Sequence, residues 1–307
     1  GIAGGILIAL FIYDELSYDK MFADAERIYR VDSDIKFGGA EMKAAEAAAP
    51  MAATMQRDFP QIESTVRFRD RGSLLLRKSN TETNTKELRV TFVDSTFFDF
   101  FGINLLVGDK RTALNEPNTL VLTKTAAEKH FGVQNALGQS MLLNNTDTYT
   151  VTGVIDDLPK NSFLREHSVF MAMSGYADSH DPNWGSNNYF TFIKLIPSAN
   201  VEEFQEPLNG IVDNYIFPWA QQYFPGMTKE SFIASGNYVN FYTKPLTDIH
   251  LYSHRDAEMS ANSSIQNVYI LSFIGLFLIV LASVNFMNLS TAQSLKRAKE
   301  VGVRKTL

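Results

Sequence analysis

The chain contains no cysteine among its 307 residues, which excludes disulfide bonds, thiolate metal sites and a cysteine nucleophile. Common enzyme motifs are missing as well: the Walker A sequence for ATP, the G-x-S-x-G nucleophile elbow, the H-E-x-x-H zinc motif and the dinucleotide-binding glycine pattern. His250 and His254 stand four apart, but they follow a predicted strand and a turn-like stretch, and no carboxylate triad lies nearby. We therefore expect no catalytic residues, no metal site and no bound cofactor, and we expect that the chain is not an enzyme.

The C-terminal end carries a net positive charge, and the rest of the chain carries a net negative charge. The formal net charge is −6, and residues 296–307 carry +4 of their own, which leaves −10 on the rest of the chain. An acidic surface binds nucleic acid and anionic lipid poorly, so neither is an expected partner of the large central region. With 45% hydrophobic residues, that region is long enough to bury a real core, and we expect two lobes.

Two uncharged stretches flank the central region. Residues 268–289 run for 22 positions without a charge, which corresponds to about 33 Å of helix and is enough to cross a bilayer. Residues 1–13 are also uncharged but too short to cross alone. We interpret 1–13 as the C-terminal part of a first transmembrane helix and 268–289 as a second, and we expect both ends of the chain to be cuts in a longer polypeptide.

The basic residues near the second span predict the orientation. Five of them lie between 296 and 305, whereas Arg255 is the only one in the 15 residues before the span. Basic residues are enriched on the cytoplasmic side of membrane proteins. We therefore expect the C-terminal end in the cytoplasm and the large domain outside the cytoplasmic membrane.

Apolar periodicity predicts a β-α-β unit at each end of the large domain. The elements are predicted at 27–37, 44–59 and 63–70 in the first unit, and at 189–196, 201–215 and 238–244 in the second. In the first helix Met51, Met55 and Phe59 lie four residues apart and share one face. Two such units indicate a split, ferredoxin-like α/β sandwich.

The pattern between these units predicts a small inserted α+β lobe. Ser95 or Thr96 is expected to cap a short helix that Gly102 ends, and Thr123 to cap another that stops at Gly132. Strands are predicted at 88–93, 119–122, 140–143 and 148–155, the last two as a hairpin. The lobe has its own apolar set, interpreted as a core and not as a ligand platform: Phe97, Phe98, Phe101, Phe131, Leu142 and Val151.

Six stretches along the chain form a recognisable series. They are ELSYDKMFADAERIYRV, FFDFFGINLLVGD, LVLTKTAAEKHFG, YTVTGVIDDLPKNS, LTDIHLYS and NFMNLSTAQSLKRAKEVGVRKTL. In this order they resemble the MacB/FtsX-type permeases of ATP-binding-cassette (ABC) systems over essentially the whole chain. The last is the most specific, and it holds Asn285, Asn288, Arg297, Glu300, Gly302, Arg304 and Lys305.

The resemblance implies the rest of the architecture. Such permeases have four transmembrane helices, a periplasmic domain between the first two, and a cytoplasmic ABC ATPase that binds ATP on a separate subunit or domain. Two permease copies are expected per complex, as a homodimer or heterodimer. The fold implied is an α+β extracytoplasmic domain flanked by transmembrane helices, with a porter-like lobe at 26–87 and 170–260 and an inserted lobe at 88–169.

The resemblance also suggests roles for polar residues near the second span. The segment 295–307 would be a cytoplasmic coupling element that contacts the ATPase through Arg297, Glu300, Arg304 and Lys305. The alternative is that these charges only fix the topology. Asn285 and Asn288 either pack against another transmembrane helix or lie close enough to the headgroups to be hydrated.

Three functions are compatible with this layout. The first is export, or extraction from the outer face of the membrane, of a peptide, lipoprotein or amphipathic drug. The second is mechanical signalling to a periplasmic partner such as a cell-wall hydrolase, without transport. The third is a membrane-tethered sensor with no ATPase. A periplasmic adaptor is a further expected partner of an efflux system.

Overall fold

The computed structural model describes residues 2–79, 83–201 and 204–306, with the backbone alone at residues 205, 206 and 299–306. The described helices are α1 (Ile2–Leu16), α2 (Met51–Asp58), α3 (Phe97–Phe101), α4 (Lys124–His130), α5 (Gln205–Ile211), α6 (Phe217–Tyr223), α7 (Lys229–Ala234), α8 (Leu246–Tyr252) and α9 (Ile265–Thr306). The described strands are β1 (Ile28–Phe37), β2 (Ala40–Ala44), β3 (Ala47–Ala48), β4 (Ile62–Asp70), β5 (Leu74–Lys78), β6 (Thr85–Glu87), β7 (Val90–Val93), β8 (Leu105–Gly108), β9 (Thr119–Thr123), β10 (Ser140–Leu143), β11 (Asp147–Ile155), β12 (Val169–Ala172), β13 (Asn187–Leu195) and β14 (Tyr238–Pro245). The chain forms two compact units: Asp19–Asn262, and Gly1–Tyr18 with Ser263–Leu307.

Four strands of the larger unit have the ferredoxin-like order β14-β1-β13-β4. All three neighbouring pairs are antiparallel, and Arg30 of β1 lies between Phe192 of β13 and Lys244 of β14. The chain runs β1-α2-β4 and later β13-α5-α6-β14, so each β-α-β unit has a strand of the other unit inserted between its two strands. This confirms the predicted split, ferredoxin-like arrangement.

The sheet continues beyond β4 without a break. The order onward is β4-β7-β12-β9-β11-β10-β5-β6, with β8 also paired to β11. The pairs β7–β12 and β9–β11 are parallel. The predicted hairpin at 140–155 is confirmed as β10 and β11.

Side chains alternate between the two faces of β1, β13 and β4, and each face has its own core. On the face covered by α2 and α5, Val31 and Ile193 pack with Met51, Met55 and Leu208. The opposite face is rich in phenylalanine: Phe68 and Phe192 contact each other and Phe101 of α3.

The aromatic residues of α3 are a core, as predicted, but not the core of a separate lobe. Phe97, Phe98 and Phe101 are at most 1% exposed and pack against the ferredoxin-like strands, whereas Val151 and Phe131 belong to a second cluster around β9 and β11. The predicted apolar set is therefore divided between two clusters, because α3 lies over β4 and not over the hairpin.

The strand pairing also differs from the predicted lobe limits. β5 and β6 lie within the porter-like range 26–87, yet β5 pairs with β10 of the range 88–169, Arg77 opposite Leu142. In turn β7 of that range pairs with β4. The sheet therefore does not divide between residues 87 and 88, and residues 19–262 group as one unit.

The alanine-rich helix predicted at 44–59 begins only at Met51. Residues 40–44 and 47–48 are strands instead, and Pro50 occupies the position just before α2. Proline lacks an N–H and is tolerated only in the first turn of a helix, so it sets the helix start. The helix predicted at 201–215 is also changed: α5 passes through a five-residue π-helical segment, Val212–Ile216, into α6.

Two predicted caps have different outcomes. Thr123 caps α4 as expected, since its Oγ1 accepts from the Ala126 N–H at 3.4 Å. Thr96 precedes α3 but caps nothing, because its Oγ1 donates to the Thr65 carbonyl at 2.7 Å. Gly102 ends α3 with φ = 69°, a conformation that glycine adopts without strain.

The smaller unit consists of α1 and α9. Of the helices in the described ranges, α9 alone is long and apolar enough, by length and composition, to cross a membrane, over Ile265–Ala298. The predicted span at 268–289 and the predicted segment at 295–307 belong, as far as Thr306, to this single helix. α1 has 15 residues and extends past the predicted limit at 13 to Leu16.

Candidate functional site

The predicted coupling residues lie at the C-terminal end of α9. The side chain of Arg297 is exposed on this helix. Glu300, Arg304 and Lys305 continue the helical backbone, but their side chains lie outside the described part of the chain. Their contact with an ATPase stays a prediction.

Glycines lie at the contact between α1 and α9. A Cβ atom on Gly5 would lie 2.8 Å from Cγ1 of Ile279, and one on Gly275 would lie 3.0 Å from Cγ2 of Ile8. Small residues let two membrane helices approach closely. Asn285 and Asn288 are exposed, and their packing role stays a prediction.

Asp19, the first residue of the larger unit, is fixed by one loop. Its N–H donates to the Asn161 carbonyl at 2.9 Å, and its Oδ1 accepts from the Phe163 N–H at 2.8 Å. The carboxyl group is buried, and burial raises the pKa of Asp19 to about 8. The same loop also contacts the other end of the unit, because Arg165 Nη2 donates to the Ala261 carbonyl at 3.1 Å. We call Asn161–Arg165 the anchoring loop.

A buried ion cluster fixes the segment that precedes α9. Arg30 of β1 is 1% exposed and pairs with Asp32 Oδ1 at 2.6 Å and with Glu258 Oε2 at 2.5 Å. Its Nη2 donates to Ser253 Oγ at 2.8 Å, and Arg255 pairs with Asp32 Oδ2 at 2.7 Å. Residues 253–258 are therefore bonded to the central part of the ferredoxin-like sheet.

The opposing charges of this cluster offset only part of the effect of burial, so the pKa of the Asp32 carboxyl lies above its ordinary value. Burial raises the pKa of the Asp32 carboxyl, while Arg30 and Arg255 act in the opposite direction. Removing one partner from such a cluster leaves an uncompensated buried charge, which costs about 3–5 kcal/mol. The attachment of residues 253–258 to β1 is thus held by strong interactions, and backbone bonds between Asp256 and Lys43 and between Ala45 and Asp256 add to it.

An apolar cavity of about 290 Å³ lies on the opposite face of β1. Ile35 and Phe37 of β1 line it, and neighbouring strand residues alternate between faces, so it is separated from Arg30 and Asp32 by the sheet. The aromatic part of its lining consists of Phe37, Trp184, Phe217, Trp219, Phe224, Phe232 and Phe241.

Sequence reasoning missed the cavity, the anchoring loop and the ion cluster. The stretch FPWAQQYFPGM at 217–227 holds an unusual density of aromatic residues, and this was the available signal for the cavity. The loop begins at the end of the stretch YTVTGVIDDLPKNS, beyond the strand predicted at 148–155. Arg30 is separated from Arg255 and Glu258 by more than 220 positions, so no local pattern joins them.

Comparison with known proteins decides the family. The model of the MacB-like periplasmic core domain family matches residues 1–211, more than half of the chain. The chain belongs to this family. A search of curated proteins finds no match.

Three solved structures are similar to this chain. A domain of a protein described as a permease, from Porphyromonas gingivalis, is 20% identical with a TM-score of 0.61, covering 73% of this chain and 91% of its own. The periplasmic region of MacB from Actinobacillus actinomycetemcomitans is 14% identical with a TM-score of 0.49, covering 75% and 92%. The extracellular domain of the noncanonic ABC-type transporter YknZ, from Gram-positive bacteria, is 14% identical with a TM-score of 0.44, covering 61% and 94%.

The family assignment confirms the predicted MacB/FtsX-type ABC transporter permease. It also supports a membrane protein with an extracytoplasmic domain, which residues 19–262 provide. The α+β sheet fold with flanking apolar helices is the predicted one, with the changes in lobe limits described above.

Proposed function

We propose that this MacB-like chain is the permease subunit of an ABC system in the bacterial inner membrane. It couples ATP hydrolysis in the cytoplasm to a conformational change of the periplasmic domain. That change drives export or extraction of a peptide, lipoprotein or amphipathic drug. The ATP is bound by a separate ABC ATPase, so this chain needs no cofactor and performs no catalysis, and it works with a second permease copy.

The observation that carries the proposal is the attachment of both ends of the domain to its core. The anchoring loop bonds Asp19 at one end and Ala261 at the other. The ion cluster bonds Ser253 and Glu258 to Arg30 in the sheet. A domain held in this way responds as a rigid body to a displacement of the helices that continue from its two ends, instead of absorbing it in flexible linkers.

The length of α9 supports the same proposal. Its 42 residues correspond to about 63 Å of continuous helix, more than the roughly 40–45 Å thickness of a bilayer with its headgroups. One helix would thus carry a displacement from the basic cytoplasmic end, which includes Arg297, to the periplasmic side. Arg297, Glu300, Arg304 and Lys305 are the proposed ATPase contacts.

The test is charge reversal at the basic end of α9 in the full-length permease, reconstituted with the ABC ATPase that co-purifies with it. We expect Arg297→Glu, and the double variant Arg304→Glu with Lys305→Glu, to lower permease-stimulated ATP turnover by at least about tenfold. Lys296→Glu is the matched control. It makes the same charge reversal at the position next to Arg297, which is rotated by about 100° around the helix axis. We expect this control to retain most of the stimulation.

Membrane insertion is measured in parallel, by carbonate extraction of each variant. Equal turnover in all variants would show that the charges serve only topology and would contradict the proposed contact. Stimulated turnover without movement of any substrate into or out of vesicles would favour the signalling function instead. In that case activation of a periplasmic hydrolase is the readout to follow.

A further inference from the structure

The cavity beside β1 has the construction of a ligand site. Its walls come from separate elements: Phe37 of β1 on the sheet side, and Phe217 and Phe232 of α6 and α7 on the helix side. Phe37 lies 5.6 Å from Phe224 and 6.0 Å from Phe232 between ring centroids, and Phe217 meets Phe232 edge to face at 5.5 Å. These spacings are those of favourable aromatic contacts, so the rings of the walls stabilise one another's positions.

The size and chemistry of the lining restrict what can bind. Ligand sites occupy about 300–1,000 Å³ and are mostly apolar with a few polar groups, and this cavity of about 290 Å³ lies at the lower limit. No charged side chain is among the described residues that line it, and the Asn187 amide provides a polar group. A charged ligand would lose its hydration without a compensating partner there.

Two local features position aromatic rings of the cavity wall. At Gly185 an added Cβ would lie 2.4 Å from Cη2 of Trp219. Glycine at this position therefore leaves room for the indole ring in the wall. The π-helical segment Val212–Ile216 ends directly before Phe217 and shifts the ring positions of α6 relative to a regular helix. Short π-helical segments are rare and occur frequently at functional sites.

We propose that this cavity binds an uncharged aromatic small molecule of one or two rings that carries a hydrogen-bonding group. The ring stacks among the aromatic walls, and the polar group meets the Asn187 side. The proposal goes beyond the proposed function, because it concerns binding by the domain itself and requires no ATPase.

Both tryptophans of the chain, Trp184 and Trp219, line the cavity, which gives a specific readout. The probe is 4-bromobenzyl alcohol, whose bromine quenches tryptophan fluorescence on contact. It is titrated against the full chain in phospholipid vesicles, which contribute no tryptophan fluorescence. We expect saturable quenching with a dissociation constant of roughly 10⁻⁴ M, in the range for about nine heavy atoms. Unbrominated benzyl alcohol should reverse the quenching by competition.

The cavity-filling variant is Ala220→Leu, since Ala220 lies in the wall and is 8% exposed. We expect the dissociation constant to rise at least about tenfold. The matched control is Ala177→Leu, the same change at an exposed position outside the lining, which should bind like the parent chain. Phe224→Ala, at a partly exposed ring, is a second variant that weakens binding with less risk to folding.

Partition of the probe into lipid gives quenching that is linear in concentration and equal in all variants. That result, or saturable quenching that Ala220→Leu leaves unchanged while its unfolding temperature matches the control, would overturn the proposal. Failure of ATPase stimulation in the reconstituted complex would leave this binding experiment unaffected, so the two proposals are tested separately.

Discussion

Asp19 is the residue whose surroundings differ most from those of an ordinary aspartate. It is 1% exposed at the start of the domain, with Oδ1 bonded to the backbone of the anchoring loop. Burial raises the pKa of Asp19 to about 8, far above its ordinary value near 3.8. The folded domain therefore holds a proton that the unfolded chain releases at moderately acidic pH.

The sign of the resulting pH dependence follows from proton binding. Between pH 4 and 8 the folded state binds more protons at this site than the unfolded state, so the stability due to Asp19 falls as pH rises and levels off above 8. The amide of the Asp19→Asn variant would keep an oxygen acceptor without a titrating proton. We expect this variant to match the parent near pH 4 and to exceed it by several kcal/mol near pH 8, since one pKa unit corresponds to about 1.4 kcal/mol.

Thermal unfolding followed by tryptophan fluorescence, at fixed detergent concentration between pH 4 and 8, measures this difference. Asp178→Asn is the matched control, because Asp178 is exposed. A difference in unfolding temperature between Asp19→Asn and the parent that stays constant across this range would contradict the assignment of a raised pKa to Asp19.

Individual elements show what the sequence could and could not predict. The strands β1, β4, β13 and β14 were predicted within two residues, because apolar periodicity and turn residues are local signals. The alanine-rich stretch before Pro50 was misassigned, since alanine's helix propensity is outweighed when Ala47 and Ala48 are buried against β13. The aromatic stretch at 217–227 was the local signal for the cavity, but its shape could not be predicted, because its walls join residues 35–37, 184–187 and 216–241 through the fold.

At the scale of helices, the glycine contact between α1 and α9 can be tested by cross-linking. The chain has no cysteine, so each pair can be introduced without background. We expect Gly5→Cys with Ile279→Cys to form a disulfide in the membrane under mild oxidation, because their Cβ positions are adjacent. The control pair, Leu10→Cys with Phe286→Cys, is separated by roughly 20 Å along the helix axis and should not cross-link.

Detection is by mobility on non-reducing gels at dilute protein, so that bonds between chains are distinguished by mass. If only the control pair reacted, or if both pairs reacted equally, the register between the two helices would be wrong. The packing by Gly5 and Gly275 would then need to be reassigned.

At the scale of the whole molecule, the charge distribution and the family assignment predict one topology. We predict that the domain of residues 19–262 lies outside the cytoplasmic membrane and that the basic end of α9 lies inside. The absence of cysteine again makes the test clean. Single cysteines are placed at Asn183, a partly exposed loop position of the domain, and at Ser294, on α9 before the basic residues.

We expect Asn183→Cys to react with a membrane-impermeant maleimide in spheroplasts, because its loop faces the outside. Ser294→Cys should react only after the membrane is permeabilised, since five basic residues beyond it hold that end in the cytoplasm. The opposite labelling pattern would place the domain in the cytoplasm, on the same side as the ATPase. The domain and the ATPase would then not be separated by the bilayer, and the proposed coupling across the bilayer would fail.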